Sequence, residues 1–208
     1  MPDFSLESRI ARKGYFRIAG VDEAGRGPWA GPVIAAAVIL DRKRLPSSLR
    51  SGLDDSKKLS AIKRGILFDI ILENADVGIG KSSVAEIDRI NILQATFLAM
   101  RQALENLTQT PDFALIDGNR ILPIKYQAEA IVKGDQRSFS IAAASIIAKV
   151  TRDRLMAKLS LKYPGYAWEK NMGYGTKAHN EALERLGVTD HHRKSYKPII
   201  NILSRQEP

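Results

Sequence analysis

The chain has 208 residues, 44% of them hydrophobic and 26% charged, enough apolar material for one substantial core. It contains no cysteine, which excludes disulfides, a thiolate nucleophile and any zinc–thiolate site. Its 32 Lys and Arg outnumber 23 Asp and Glu, a net charge of +9 that points to a polyanionic partner, nucleic acid before membrane.

The opening residues, MPDFSLESRIARKGYF, are polar and basic and lack the apolar centre of a secretory signal. They suggest a short helix or loose arm, and a cytoplasmic protein. No apolar run approaches the ~20 residues of a membrane span. Residues 18–40, IAGVDEAGRGPWAGPVIAAAVIL, read as two strands joined by a Gly- and Pro-rich connection, a pair expected to be antiparallel. The first strand ends in adjacent carboxylates, Asp22 and Glu23. Residues 41–55 read as a charged loop leading into DDSKKLS at 54–60. Ser60 is placed to cap a helix running to about residue 74, with Ile62, Ile66 and Ile70 on one face.

DVGIGKSS at 76–83 reads as a strand with weak alternation. A helix from about 85 to 107 follows, whose Ile90, Leu93, Phe97, Met100, Leu104 and Leu107 step by three and four, a core-facing stripe. Short strands are expected at 113–116, ending in Asp117, and at about 126–132, followed by Lys133-Gly134-Asp135. A helix over 139–162 begins with small residues, and further helices are expected at about 176–186 and from about 196. No repeat or linker interrupts this order, so residues 1–208 are expected to form a single catalytic unit. It divides into an α/β core over 15–160, built on a mixed five-stranded sheet flanked by helices, and a helical C-terminal extension over 161–208.

Adjacent strand ends lie ~5 Å apart, so Asp22, Glu23, Asp117 and Asp135 could converge on one edge of the sheet. Each like-charge pair ~4 Å apart costs about 4 kcal/mol at an effective dielectric of 20, so such a cluster needs cations. Mg²⁺ suits an all-oxygen donor set, and two ions make the clamp used in phosphodiester cleavage. An Asp-Gly pair at a strand end also serves as a plain turn, and Asp117 or Asp135 alone would read that way. Two like charges at a buried strand end, Asp22 and Glu23, have no such ordinary use.

DEAGRGPWAGPV, DDSKKLS, IDG, VKGD followed by SIAAASIIAKVTRDR, and MGYGT with a downstream His together resemble the prokaryotic type 2 ribonucleases H, the ribonuclease HII family, from about residue 16 to 200. The resemblance implies a ribonuclease H-like α/β fold and endonucleolytic hydrolysis of the RNA strand in RNA–DNA hybrids. Single ribonucleotides embedded in duplex DNA are included, and the ends left are 5′-phosphate and 3′-hydroxyl. It implies Mg²⁺ or Mn²⁺, two ions in the catalytic complex, held by Asp22, Glu23, Asp117 and Asp135. It further implies that Gly25-Arg26-Gly27 reads the ribose 2′-hydroxyl through its backbone and that Tyr174 packs on the sugar at the RNA–DNA junction. Lys194 and Tyr196 stand where that pattern has Arg and Phe.

Other candidates for substrate contact are Lys57 and Lys58, Ser145 on the small-residue helix, and Arg193 in the Arg193-Lys194-Ser195 cluster. Each is equally open to a bland use: a solvated lysine, a packed serine, a surface arginine. Asp153 reads as a surface partner for Arg152 or Arg154. His191 and His192 suggest surface or nucleic-acid contact; with no His pair at i, i+4, a structural zinc site is not expected. Tyr163, Tyr166 and Trp168 are expected to pack the extension, Trp29 to be core or rim, and the molecule to be a monomer.

Overall fold

Every residue of the second strand is buried, which requires a sheet covered on both faces. The computed structural model, which describes residues 1–53, 59–121 and 123–206, shows how. Strands β1 (Ile18–Ala24), β2 (Val33–Leu40), β3 (Ala75–Ser82), β4 (Phe113–Asp117) and β5 (Gln127–Ile131) form one five-stranded sheet in the order β3-β2-β1-β4-β5. β1, β2 and β3 are antiparallel neighbours, while β4 and β5 run parallel to β1. Helix α4 (Val84–Glu105) covers one face, and α3 (Ala61–Asn74) with α5 (Phe139–Lys162) covers the other.

The helices lie close because small residues face each other. A Cβ added at Gly78 or Gly80 of β3 would fall 2.0 or 1.9 Å from the carbonyl oxygens of Ala103 and Ala99 on α4. One added at Gly20 of β1 would fall 2.1 Å from the Ser140 backbone of α5. Sheet and helix therefore meet backbone to backbone at these points, which only glycine permits.

Ser60 and Ser83 cap α3 and α4 with their side chains, the second as a full capping box with Glu86. α3 buries a different face from the one expected. Leu67, Phe68 and Ile71 enter the core, while Ile62 and Ile66 are 79% and 56% exposed. α4 is also not one unbroken helix. Asn91 sits at φ 66°, and its Oδ1 accepts the Leu93 and Gln94 amides, restarting the helix with a second cap. The residues buried on α4 are chiefly Ile87, Ala95, Ala99, Met100, Ala103 and Leu104, so the stripe of large side chains is only partly core. A short helix, α2 (Ser47–Gly52), occupies part of the expected 41–55 loop.

Helix α1 (Ser5–Ala11) docks on the start of α5. The buried Glu7 accepts the Ser138 hydroxyl at 2.7 Å and the Ser140 amide at 3.0 Å through one oxygen, placing a carboxylate at the positive end of that helix. After α5 come α6 (Trp168–Asn171), α7 (Lys177–Leu186) and α8 (Lys197–Gln206). Tyr166, Trp168, Leu183, Ile199 and Ile202 gather against Met156 of α5, with Tyr163 and Trp29 packed at the margin. Among the described residues no helix is long and apolar enough to cross a membrane.

Candidate active site

β1 carries Asp22 and Glu23 inside its pairing, opposite Ala36 and Ala35 of β2, rather than beyond its end. Because β1 and β4 pair in parallel with Val21 opposite Ile116, the next residues, Asp22 and Asp117, are neighbours on one face. Consecutive strand residues face opposite ways, so Glu23 turns toward α4 into a cleft of about 340 Å³ lined by Arg26, Phe97 and Arg120, and Asp117, as the last residue of β4, borders that cleft at the sheet's edge. Asp135 arrives from β5. The Gly118 amide bonds the Ile131 carbonyl, and the Gly134 amide donates to Asp117 Oδ1 at 2.6 Å. Asp135 follows directly, 5% exposed, in a short 3-10 turn rather than at a strand end. A side chain at Gly134 would meet that Asp117 oxygen at 3.2 Å and Ile141 at 2.6 Å.

Burial pushes the Asp22 carboxyl well above the usual carboxylate range, and Glu23 and Asp117 push it further, against a hydrogen bond from Ser145. Burial also raises Glu23, opposed by Arg26, whose guanidinium lies 3.4 Å away, and reinforced by Asp117. These acids are destabilised in their charged forms by the fold that assembles them. An all-oxygen donor set of this kind fits a hard divalent cation, which relieves the repulsion. Among the described residues no three His, Cys, Asp or Glu side chains are already gathered at spacing that would hold an ion. The donor chemistry fits a metal; a closed cage is not formed.

Beside the acids lies the 25–32 loop, with Gly25 at φ 99° and Gly31 at φ 81°, both in the region that favours glycine. Tyr174, 47% exposed, overhangs it, its ring edge 3.5 Å from where a Gly27 Cβ would stand. The loops are zipped together by Trp29 and Ala30 amides on the Gly173 carbonyl, at 2.8 and 3.3 Å. Thus Gly25, Arg26, Gly27 and Tyr174 are brought to the edge of the acid cluster.

Several candidates have other partners. Arg193 is fully buried, and its guanidinium is spent on the carbonyls of Gly25, Arg26 and Gly31 and on the Tyr196 hydroxyl, so it does not face a phosphate. The Tyr196 hydroxyl in turn donates to the Arg26 carbonyl at 2.7 Å, a bond phenylalanine could not make. Ser145 is 6% exposed, with its hydroxyl engaged by Asp22. Ser195 bonds Asp88 through both its amide and its hydroxyl. Asp153 pairs with Lys149 at 2.7 Å instead of with either neighbouring arginine. Lys57 and Lys58 lie outside the described residues.

Sequence reasoning missed a buried polar network behind Tyr174. His192 is fully buried, not a surface contact. Its Nδ1 accepts the Thr189 amide at 2.9 Å, so its Nε2 carries the proton and meets His179 Nε2 at 3.1 Å. His179 Nδ1 then donates to the Tyr174 carbonyl at 2.9 Å, and Trp168 Nε1 also donates to His179 at 3.1 Å. Burial, then His179, holds His192 down at about 3, so both rings are neutral. Sequence reasoning also missed Arg152, although its position seven residues after Ser145, on the buried face of α5, is the register that marks it.

A mixed five-stranded sheet flanked by helices, with carboxylates on its two central parallel strands β1 and β4, places the chain among the ribonuclease H-type folds. The crystal structure of ribonuclease H2 from Pyrococcus horikoshii superimposes with a TM-score of 0.76 at 29% identity, over 91% of this chain and 98% of that one. The ribonuclease HII family model matches residues 19–199. Ribonuclease HII of Ruegeria pomeroyi is 55% identical over 99% of this chain and 86% of its own length. That of Rhodospirillum rubrum is 56% identical over 99% and 93%. The chain belongs to the ribonuclease HII family.

Proposed function

We propose that this chain is an endoribonuclease that cuts the RNA strand of RNA–DNA hybrids, and single ribonucleotides in duplex DNA, leaving 5′-phosphate and 3′-hydroxyl ends. The observation that carries this reading is the placement of Asp22, Glu23 and Asp117 on adjacent strands β1 and β4, with Glu23 and Asp117 lining one cleft, beside a glycine loop able to touch a sugar with its main chain. Asp22, Glu23, Asp117 and Asp135 are the residues that would hold Mg²⁺ or Mn²⁺, as two ions. Bound there, such ions activate water and stabilise the leaving oxygen. The chain's own part is orientation. Ser145 and the Glu23 amide fix the Asp22 carboxylate, and the Gly134 amide fixes that of Asp117. The amides of Arg26 and Gly27 are offered to the 2′-hydroxyl, and Tyr174 packs on the sugar.

The test is a cleavage map on a DNA duplex carrying one ribonucleotide, with Mg²⁺, with Mn²⁺ and with chelator. Cutting is expected at the ribonucleotide only, abolished by chelator and reduced at least about a hundredfold in Asp22→Asn. Cleavage of an all-DNA duplex, or near-normal turnover by Asp22→Asn, rejects the reading.

A further inference from the structure

Among the described residues, two arginines lie buried without an ion-pair partner in hydrogen-bonding reach. Arg152 on α5 is 1% exposed and Arg193, between α7 and α8, is 0% exposed. Removing a guanidinium from water is tolerable only when its donors are satisfied. Here the satisfaction comes from main-chain carbonyls. Arg152 donates to Pro32 through Nε at 3.0 Å, to Ala30 through Nη2 at 3.0 Å and to Met172 through Nη1 at 2.9 Å. Arg193 donates to Gly31 through Nε at 3.0 Å and to Arg26 through Nη1 at 2.8 Å, with Nη2 shared between Gly25 and Gly31.

The consequence follows from peptide geometry. No cis bond occurs among the described residues, and in a trans peptide the carbonyl of one residue and the amide of the next point in opposite directions. Drawing the Gly25 and Arg26 carbonyls inward onto Arg193 therefore turns the Arg26 and Gly27 amides outward. Both residues are exposed, and among the described residues neither amide has an acceptor. Arg152 adds the second restraint: one planar fork holds the 25–32 loop and, through Met172, the segment that presents Tyr174.

We propose that Arg193 and Arg152 are positioning residues for ribonucleotide recognition, setting the direction of the Arg26 and Gly27 amides and locking their loop to that of Tyr174. The inference rests on the function proposed above. It explains why arginine is needed at both places: lysine keeps the charge but cannot reach divergent carbonyls at once.

Arg193→Lys tests this. Its kcat and KM are measured on a duplex with one ribonucleotide, and the all-DNA duplex of the same sequence is titrated as a competitive inhibitor. The expected result is a fall of about tenfold or more in kcat/KM, while the inhibition constant of the all-DNA duplex moves less than twofold. A parallel loss on both duplexes, or an unchanged kcat/KM, overturns the positioning role. Arg152→Lys, with the same expectation, replaces it if thermal melting shows Arg193→Lys unfolded at the assay temperature. A crystal structure of the variant separates this inference from the proposed function. An unchanged path for Gly25, Arg26 and Gly27 overturns the inference whatever the activity, and a turned Gly25–Arg26 peptide upholds it when the loss is confined to the ribonucleotide duplex. A wild-type protein that ignores the ribonucleotide overturns the function and with it the recognition role, whatever the path of the loop in the variant.

Discussion

His179 and His192 form a neutral pair inside the C-terminal helices, and both titrate below the usual imidazole range because burial disfavours their charged forms. The sign of the effect is fixed by linkage. With a folded value of about 3 for His192 against 6.5 unfolded, acidification loads the unfolded chain first, so this contribution to stability is present above pH 6.5 and is lost toward pH 3. His192→Gln should thus narrow the gap in stability between pH 7 and pH 4.5 by about 2–3 kcal/mol relative to wild type, read from denaturant melts at the two pH values. A gap of unchanged size would mean that the pair is not held neutral. The sequence singled out Asp22 and Glu23 because a carboxylate doublet in a buried strand demands a reason. It hid the roles of Arg152, Arg193 and the histidines, because a side chain's type does not reveal whether its hydrogen-bonding groups meet water, phosphate or main chain.

At the scale of elements, the strand β2 and the helix α5 were readable to the residue, since an unbroken apolar run and a long small-residue helix each admit one structure. The burial of α3 was not. Its sequence offers apolar side chains on more than one face, and only the partner, α5, selects Leu67, Phe68 and Ile71 over Ile62 and Ile66. The break in α4 was equally hidden, because the three-four spacing continues through Asn91 while the backbone does not. Glycines give a sharp test of how these elements meet. Gly20→Ala forces a Cβ against the Ser140 main chain and should cost about 3 kcal/mol by overpacking, shifting α5 and Ser145 with it. Gly65, inside α3, has no heavy atom within 4 Å of its added Cβ, so Gly65→Ala should stabilise by about 1 kcal/mol. Thermal melts of the two variants should move in opposite directions; movement in the same direction contradicts the packing described.

For the whole molecule, the net charge of +9 acts with the acid cluster in opposition: the surface attracts a polyanion, and the site repels its phosphates until cations intervene. Binding to a duplex should therefore be steeply salt-dependent. Neutralising about three phosphates predicts roughly a 40-fold loss of affinity between about 50 and 200 mM salt, measurable by fluorescence anisotropy. A flat response would assign the basic excess to some other use. The mixed five-stranded sheet flanked by helices was legible from the alternation of strand and helix segments; the strand order was not, because the antiparallel neighbours β2 and β3 are separated in the chain by α2 and α3. What length and charge could not show is how the start of the chain is used. Glu7 reaches 131 residues forward to Ser138, so the carboxylate that backs the Ser138 cap of the helix carrying Ser145 and Arg152 is synthesised long before that helix exists. During translation the growing polypeptide keeps this carboxylate in readiness, and trimming the leading ten residues, however peripheral they look, would leave Ser138 its bond to Ile141 but strip the Ser140 amide of its acceptor and the helix start of its negative charge.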